Sequence, residues 1–202
     1  TGDVVSWLNA DEQYLPQTLQ LVQATFEENP EVGVVFGNYI IVDGAGAAIA
    51  ARKEIPLRAA YVRNSVLYAA SCTTFFRRRL LDEGLLELDT DLKDAADAKL
   101  ILSLLRHGTK CRHLNEYLAL FTFDGRNRSD RPEALAEVEK IRLDAGALRS
   151  RPLRTLVRSG RWLEKAARGH FFPTRVTYPF ACDELPTYKQ MSARVWNRYP
   201  VS

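Results

Sequence analysis

Apolar and polar positions fall into blocks along the chain that predict alternating strands and helices. Val4 to Leu8 is β-branched or bulky apolar apart from Ser6, and reads as a strand that breaks at Asn9. From Pro16 to Asn29, Leu19, Val22 and Phe26 recur at spacings of three and four, the stripe of an amphipathic helix. Val32 to Phe36 and Tyr39 to Val42 read as two further strands, with Asp43-Gly44 as a turn. Residues 45 to 70 are small and polar in patches with Pro56 as a breaker, and predict an irregular excursion. Asp94 to His107 predicts the next helix, with Leu100, Ile101, Leu104 and Leu105 on its buried face and Gly108 as its stop. Its first turn is acidic, as the helix dipole favours.

Chemistry concentrates where the first strand ends. Trp7-Leu8-Asn9-Ala10-Asp11-Glu12 sets two adjacent carboxylates directly after an apolar run. Hard divalent cations such as Mg²⁺ and Mn²⁺ prefer carboxylate oxygen and complete their shell with water and substrate phosphates. The bland reading of the same residues is a solvated acidic turn or a helix cap ahead of Pro16. Asp94 and Asp97 carry the same ambiguity, because acids in the first turn of any helix stabilise it electrostatically.

Taken in order, Gly2-Asp3-Val4-Val5-Ser6-Trp7-Leu8-Asn9-Ala10-Asp11-Glu12, Tyr14-Leu15-Pro16, Asn29-Pro30-Glu31-Val32, Val34-Val35-Phe36-Gly37-Asn38 and Val42-Asp43-Gly44 resemble glycosyltransferase family 2. These are inverting sugar transferases of the GT-A fold. The likeness continues through Ser71-Cys72-Thr73-Thr74-Phe75-Phe76-Arg77-Arg78 and reaches Asp97, so it covers about residues 1 to 130. It implies an α/β fold, a partial GT-A-like mixed sheet flanked by helices, with residues 131–202 as a basic helical extension. It also implies roles: Asn9 and Asp11 on the nucleotide-sugar donor, Asp11 and Glu12 on Mg²⁺ or Mn²⁺, Thr73 and Thr74 on the acceptor side, and Asp97 as general base. The partners implied are a nucleotide-diphosphate sugar and a carbohydrate or lipid-linked acceptor, in the assembly of surface polysaccharide or glycolipid.

Departures from the family accompany the likeness. Thr122 stands where relatives commonly carry Arg, no histidine follows it, and Lys99 replaces another frequent acid; Asp124, Arg126 and Arg128 offer oxygen or phosphate contacts nearby. A donor-binding half precedes the acidic motif in the family, whereas Thr1 opens this sequence, so the chain is expected to be incomplete and inactive alone. A catalytically silent binding or scaffold subunit is the alternative function, and a nucleotidyltransferase a distant third. Ser71 has no nucleophile partners, which argues against hydrolase chemistry.

Composition adds limits. At 202 residues, 46% hydrophobic and 26% charged, the chain can bury one full core and an appended subdomain. No apolar run approaches the roughly 20 residues of a spanning helix, and no signal peptide opens the sequence. Cys72, Cys111 and Cys182 show no paired spacing, and a cytoplasmic location is expected, extending to the inner face of the membrane. His107, His113 and His170 fit no metal or triad spacing and are expected at the surface or at helix caps.

Charge is uneven. Lys140 to Arg175 holds ten Lys or Arg against Asp144 and Glu164, so this segment is +8 within a chain of net charge +3. Arg154, Arg158, Arg161, Lys165 and Arg168 make one helical stripe, with Leu153, Leu156, Gly160, Leu163 and Ala167 adjoining it. Such a helix either lies on anionic lipid through its cations or packs its apolar side on the protein with its arginines in water. Trp162, Phe171 and Phe172 could stack bases, but no nucleic-acid motif accompanies them, so no nucleic-acid partner is expected.

Overall fold

Eleven consecutive residues, Val32–Val42, form strand β3, and all of them are buried. A strand covered on both faces reads as a continuous apolar run. Here Gly37-Asn38 interrupts that run, which is why the sequence predicts two strands where the chain makes one. Glycine at 37 is required by close approach, since a Cβ there would lie 2.5 Å from Leu118 Cδ1 and 3.0 Å from the Glu116 carbonyl oxygen. Asn38 is completely buried but satisfied: its Oδ1 accepts the Glu54 N–H at 2.8 Å and the His113 Nε2–H at 3.1 Å.

In the computed structural model, which describes residues 2–123, 131–181 and 188–198, β3 lies at the centre of a six-stranded mixed sheet. On one side it pairs in parallel with β6 (Lys110–Thr122), which in turn pairs with β2 (Gln13–Tyr14). On the other side two antiparallel partners share it. β5 (Thr74–Arg77) takes Val34 to Phe36, and β4 (Ala48–Arg52) takes Tyr39 to Val42. β1 (Val4–Val5) pairs with β5 and forms the edge. The predicted strand to Leu8 is cut short because Trp7 leaves the ladder and stacks on Phe76, with ring centroids 5.3 Å apart.

Helix α1 (Thr18–Glu28) buries Val22, Thr25 and Phe26 on one face of the sheet, against Val32, Val35, Phe75 and Leu118, but leaves Leu19 exposed. Arg77 reaches across to close this helix, donating to the carbonyls of Phe26 at 2.7 Å and Asn29 at 3.2 Å. Residues 45 to 70, expected to be irregular, instead supply β4 and the short helix α2 (Ala59–Asn64). Small side chains explain the difference, because Ala50 and Ala51 fit a fully covered ladder position that carries no hydrophobic signal. A further short helix, α3 (Arg79–Asp82), follows β5.

Helix α4 (Ala96–Arg106) is buried on two sides. Leu100, Ile101 and Leu104 pack with Val34, Phe76 and Leu80, and Leu102 packs with Ile55, Val62, Tyr68 and Ile141. Each such side chain contributes about 1.5–3 kcal/mol on burial. The helix ends as its sequence predicts: Gly108 adopts φ 77°, and the Thr109 N–H donates to the Leu104 carbonyl at 3.0 Å.

Residues 131–198 hold α5 (Pro132–Asp144), α6 (Arg151–Ala167) and a hairpin of β7 (Thr174–Ala181) and β8 (Tyr188–Val195), the last not anticipated from the sequence. Val176, Tyr178 and Val195 from the hairpin join Ile40, Val42, Ala51 and Leu120 in one apolar cluster. The Tyr178 hydroxyl donates to the Gly46 carbonyl at 2.7 Å, and Ala51 N–H to the Trp196 carbonyl at 3.0 Å. Among the described residues no helix is long and apolar enough to cross a membrane.

Candidate active site

The acidic step forms a turn locked by its own side chain. Glu12 N–H donates to the Asn9 carbonyl at 3.1 Å, and Asn9 N–H donates back to Glu12 Oε2 at 2.9 Å. Burial raises the Glu12 carboxyl above the usual range, the Asn9 bonds oppose that, and the neighbouring charge of Asp11 adds to it. Asp11 itself is exposed. Its backbone carbonyl is held by the Thr122 hydroxyl at the end of β6. Thr122, a departure from the family in sequence, therefore anchors the turn, a role that periodicity could not reveal.

The 3₁₀ segment Ser71–Thr73 leads into β5. Burial pushes the Cys72 thiol well up, and the charges of Glu12 and Asp11 act on it in the same direction. Thr73 and Thr74 are both buried, and their hydroxyls donate to the Ala70 carbonyl at 3.2 and 2.7 Å. Those two side chains fix the path of residues 70–74, whereas Ser71 is only half-buried.

Asp97 stands on a separate element, the first turn of α4. It is half-buried, its Oδ1 accepts the Ala98 N–H at 2.7 Å, and desolvation raises its carboxyl above the usual value. The apolar residues that follow it on α4, Leu100, Ile101 and Leu104, pack with Phe76 and with Trp7. Lys99 pairs with Asp89. Glu137 of α5, which carried no signal in the sequence, accepts the N–H groups of Lys93 at 3.1 Å and Asp94 at 2.9 Å and so holds the approach to α4.

Asp11 and Glu12 suit a hard divalent cation. Glu12 Oε1 is buried with no hydrogen-bond partner, and the exposed carboxylate of Asp11 is beside it. Among the described residues no group of three or more acids, histidines or cysteines could hold a metal. One or two carboxylates completed by substrate phosphates is how Mg²⁺ is usually held.

His107 is exposed at the end of α4, but His113 is half-buried on Asn38, with burial moving it down to about 4, and His170 is buried. Neither of the latter two is a surface residue, because buried partners rather than spacing decide a histidine's place. The basic stripe is divided. Arg161 and Lys165 turn inward to Glu54 at 3.2 and 3.0 Å, and Arg154 pairs with Glu139 at 2.7 Å. The face expected to pack is instead largely exposed, with Leu156 at 68% and Leu163 at 70%. Asp124, Arg126, Arg128 and Cys182 lie outside the described residues.

Residues 1–85 match the family described as Glycosyl transferase family 2. The matched span takes in Asn9, Asp11, Glu12, Thr73 and Thr74 and stops short of Asp97. Among solved structures, that of S. aureus TarS 1-349 aligns with a TM-score of 0.52 at 17% identity, over 83% of this chain and 48% of that one. The structure of S. aureus TarS 1-349 in complex with UDP aligns at 0.50, also with 17% identity, over 82% and 48%. The chain thus spans about half the length of these proteins, and at this identity the likeness is one of fold: a partial GT-A-like α/β arrangement with a mixed sheet flanked by helices. No curated protein matches the chain.

Proposed function

We propose that residues 1–130 are the acceptor-side and metal-binding portion of an inverting, nucleotide-sugar-dependent glycosyltransferase of surface polysaccharide or glycolipid assembly, with residues 131–202 as a basic extension. The observation that carries this reading is the locked Asn9–Glu12 turn, with an orphaned buried carboxylate oxygen beside an exposed one, inside the span that matches the family. UDP in the S. aureus TarS structure supports a nucleoside-diphosphate donor.

In this reading Asn9 contacts the nucleotide sugar, and Asp11 with Glu12 holds Mg²⁺ or Mn²⁺. When bound, that ion would neutralise the diphosphate of the donor. Asp97 takes the proton of the acceptor hydroxyl as its oxygen bonds to the anomeric carbon, and the bond from that carbon to the diphosphate breaks on the opposite face. The Asp97 carboxylate accepts the Ala98 N–H through Oδ1 and keeps further lone pairs to receive the proton. A carboxyl raised by desolvation is the stronger base once ionised. Thr73 and Thr74 shape the acceptor side through the path of residues 70–74. The protein works in the cytoplasm at the inner membrane face, where the exposed Leu153, Leu156 and Leu163 of α6 meet lipid.

Calorimetric titration of the full-length protein with UDP, with and without Mn²⁺, tests the metal assignment. Asp11→Asn is expected to abolish the metal-dependent part of binding while the fold persists. Unchanged affinity with Mn²⁺ would instead favour a catalytically silent scaffold.

A further inference from the structure

A cavity of about 640 Å³ opens between α6 and the end of β8, well away from the acidic turn. The sheet gives the separation: Gln13 pairs with Leu120, Leu120 with Ile40, Ile40 with Ala51, and Ala51 with Asn197. Four strand pairings therefore lie between the residue after Glu12 and the residue that lines the cavity. Its size falls in the range of small-ligand pockets.

Two kinds of side chain line it. Arg52, Arg161, Lys165 and Arg198 are cations, and the fully buried Glu54 bonds Arg52, Arg161 and Lys165 together. Glu164, on the same helix, is occupied by Arg58 and Arg168. Among the described residues that line the cavity, four are cations and none is a carboxylate. Two of its cations are built in rather than solvated: Arg161 is 5% exposed and Lys165 3%. Arg161 stacks on the Tyr68 ring at 4.7 Å, and its Nε is buried with no hydrogen-bond partner. Desolvation also moves the Lys165 amine down to about 8, the response of a cation short of compensating charge.

The second kind is aromatic. Trp162 stacks in parallel on Phe171 at 5.1 Å yet is 51% exposed, and Trp196 is 55% exposed. Large rings held rigid but left open give contact area at low entropic cost, and flat indole faces suit the apolar face of a pyranose ring.

We propose that this cavity binds an anionic carbohydrate, its phosphate or carboxylate seated on the Arg161, Lys165 and Arg198 cations and its sugar ring against Trp162 or Trp196. The choice of a sugar over another ring-bearing anion rests on the glycosyltransferase reading; the cation and aromatic geometry does not. The occupant is a segment of acceptor or product chain, held apart from the reacting hydroxyl.

The test is direct binding, measured by calorimetry on the full-length protein with glucose 6-phosphate, glucuronate, inorganic phosphate and glucose as probes. Glucose 6-phosphate or glucuronate is expected to bind saturably and at least about tenfold more tightly than glucose or phosphate alone, a difference of about 1.4 kcal/mol. Trp196→Ala and Arg198→Ala, both at exposed positions, should each weaken that binding at least about fivefold with unchanged melting temperature, whereas Asp97→Asn should leave it intact even where sugar transfer is lost. Equal affinity for glucose and its phosphate, binding insensitive to both cavity variants, or saturable binding of a single-stranded oligonucleotide but of no sugar would overturn the proposal. Loss of sugar transfer with anionic-sugar binding preserved would count against the proposed function alone.

Discussion

Glu54→Gln is expected to destabilise the protein sharply. The carboxylate is completely buried and bonds Arg52 at 2.7 Å, Lys165 at 3.0 Å and Arg161 at 3.2 Å. Glutamine keeps the volume and removes the charge, leaving buried cations without their counter-ion. Breaking a buried ion pair from one side costs about 3–5 kcal/mol. For a chain of this size that corresponds to a fall in Tm of roughly 6–20 °C. The pH dependence separates this cause from loose packing. The Lys165 amine lies at about 8 when folded against 10.5 otherwise. The unfolded chain therefore binds the extra proton between those values, and this group's contribution to stability rises with pH across that window, by at most roughly 3 kcal/mol. In Glu54→Gln the amine loses its counter-charge and the rise begins at lower pH, while in Lys165→Met it disappears. Thermal melts from pH 7 to 10 would show both. A Glu54→Gln protein melting within about 2 °C of wild type at pH 7 would refute the reasoning.

Gly37→Ala should cost about 1–3 kcal/mol of stability through overpacking against Leu118 and the Glu116 carbonyl, read from denaturant unfolding. Glu137→Ala removes the acceptor of the Lys93 and Asp94 N–H groups, so amide exchange should accelerate at those two positions while α6 remains protected. Asp97→Asn is expected to melt at the same or a higher temperature than wild type at pH 7. Burial raises the folded carboxyl, so its stability contribution is present at low pH and is lost as pH rises through the raised value; a clear loss of stability in the amide variant would contradict this.

Where apolar periodicity is strong, the fold was legible. The helix carrying Leu100, Ile101 and Leu104 starts and stops within two residues of its expected bounds, because an acidic first turn and a left-handed Gly108 punctuate it. Prediction failed where burial is made of small or polar residues. Ala50 and Ala51 lie in a covered strand, and Asn38 is buried because three polar partners satisfy it, none of them near in sequence. The basic stripe misled for the same reason: Glu54 lies 107 residues from Arg161, and that distant carboxylate rotates the helix so that cations face inward and leucines face out. At the candidate site the acidic turn was readable from the order of residues Trp7 to Glu12. Thr122, which holds that turn, and Glu137, which holds the approach to α4, are hydrogen-bond partners set by the fold and have no local signature.

The central claim is that Asp97 is the general base of a sugar transfer. The most direct measurement compares transfer from a UDP-linked sugar, with Mn²⁺, by the full-length wild type, Asp97→Asn and Asp94→Asn proteins, alongside their UDP affinities. The account predicts that Asp97→Asn slows transfer by roughly a hundred- to ten-thousandfold with normal UDP affinity, while Asp94→Asn stays near wild type. Equal losses in both variants, or a loss confined to Asp94→Asn, would contradict it.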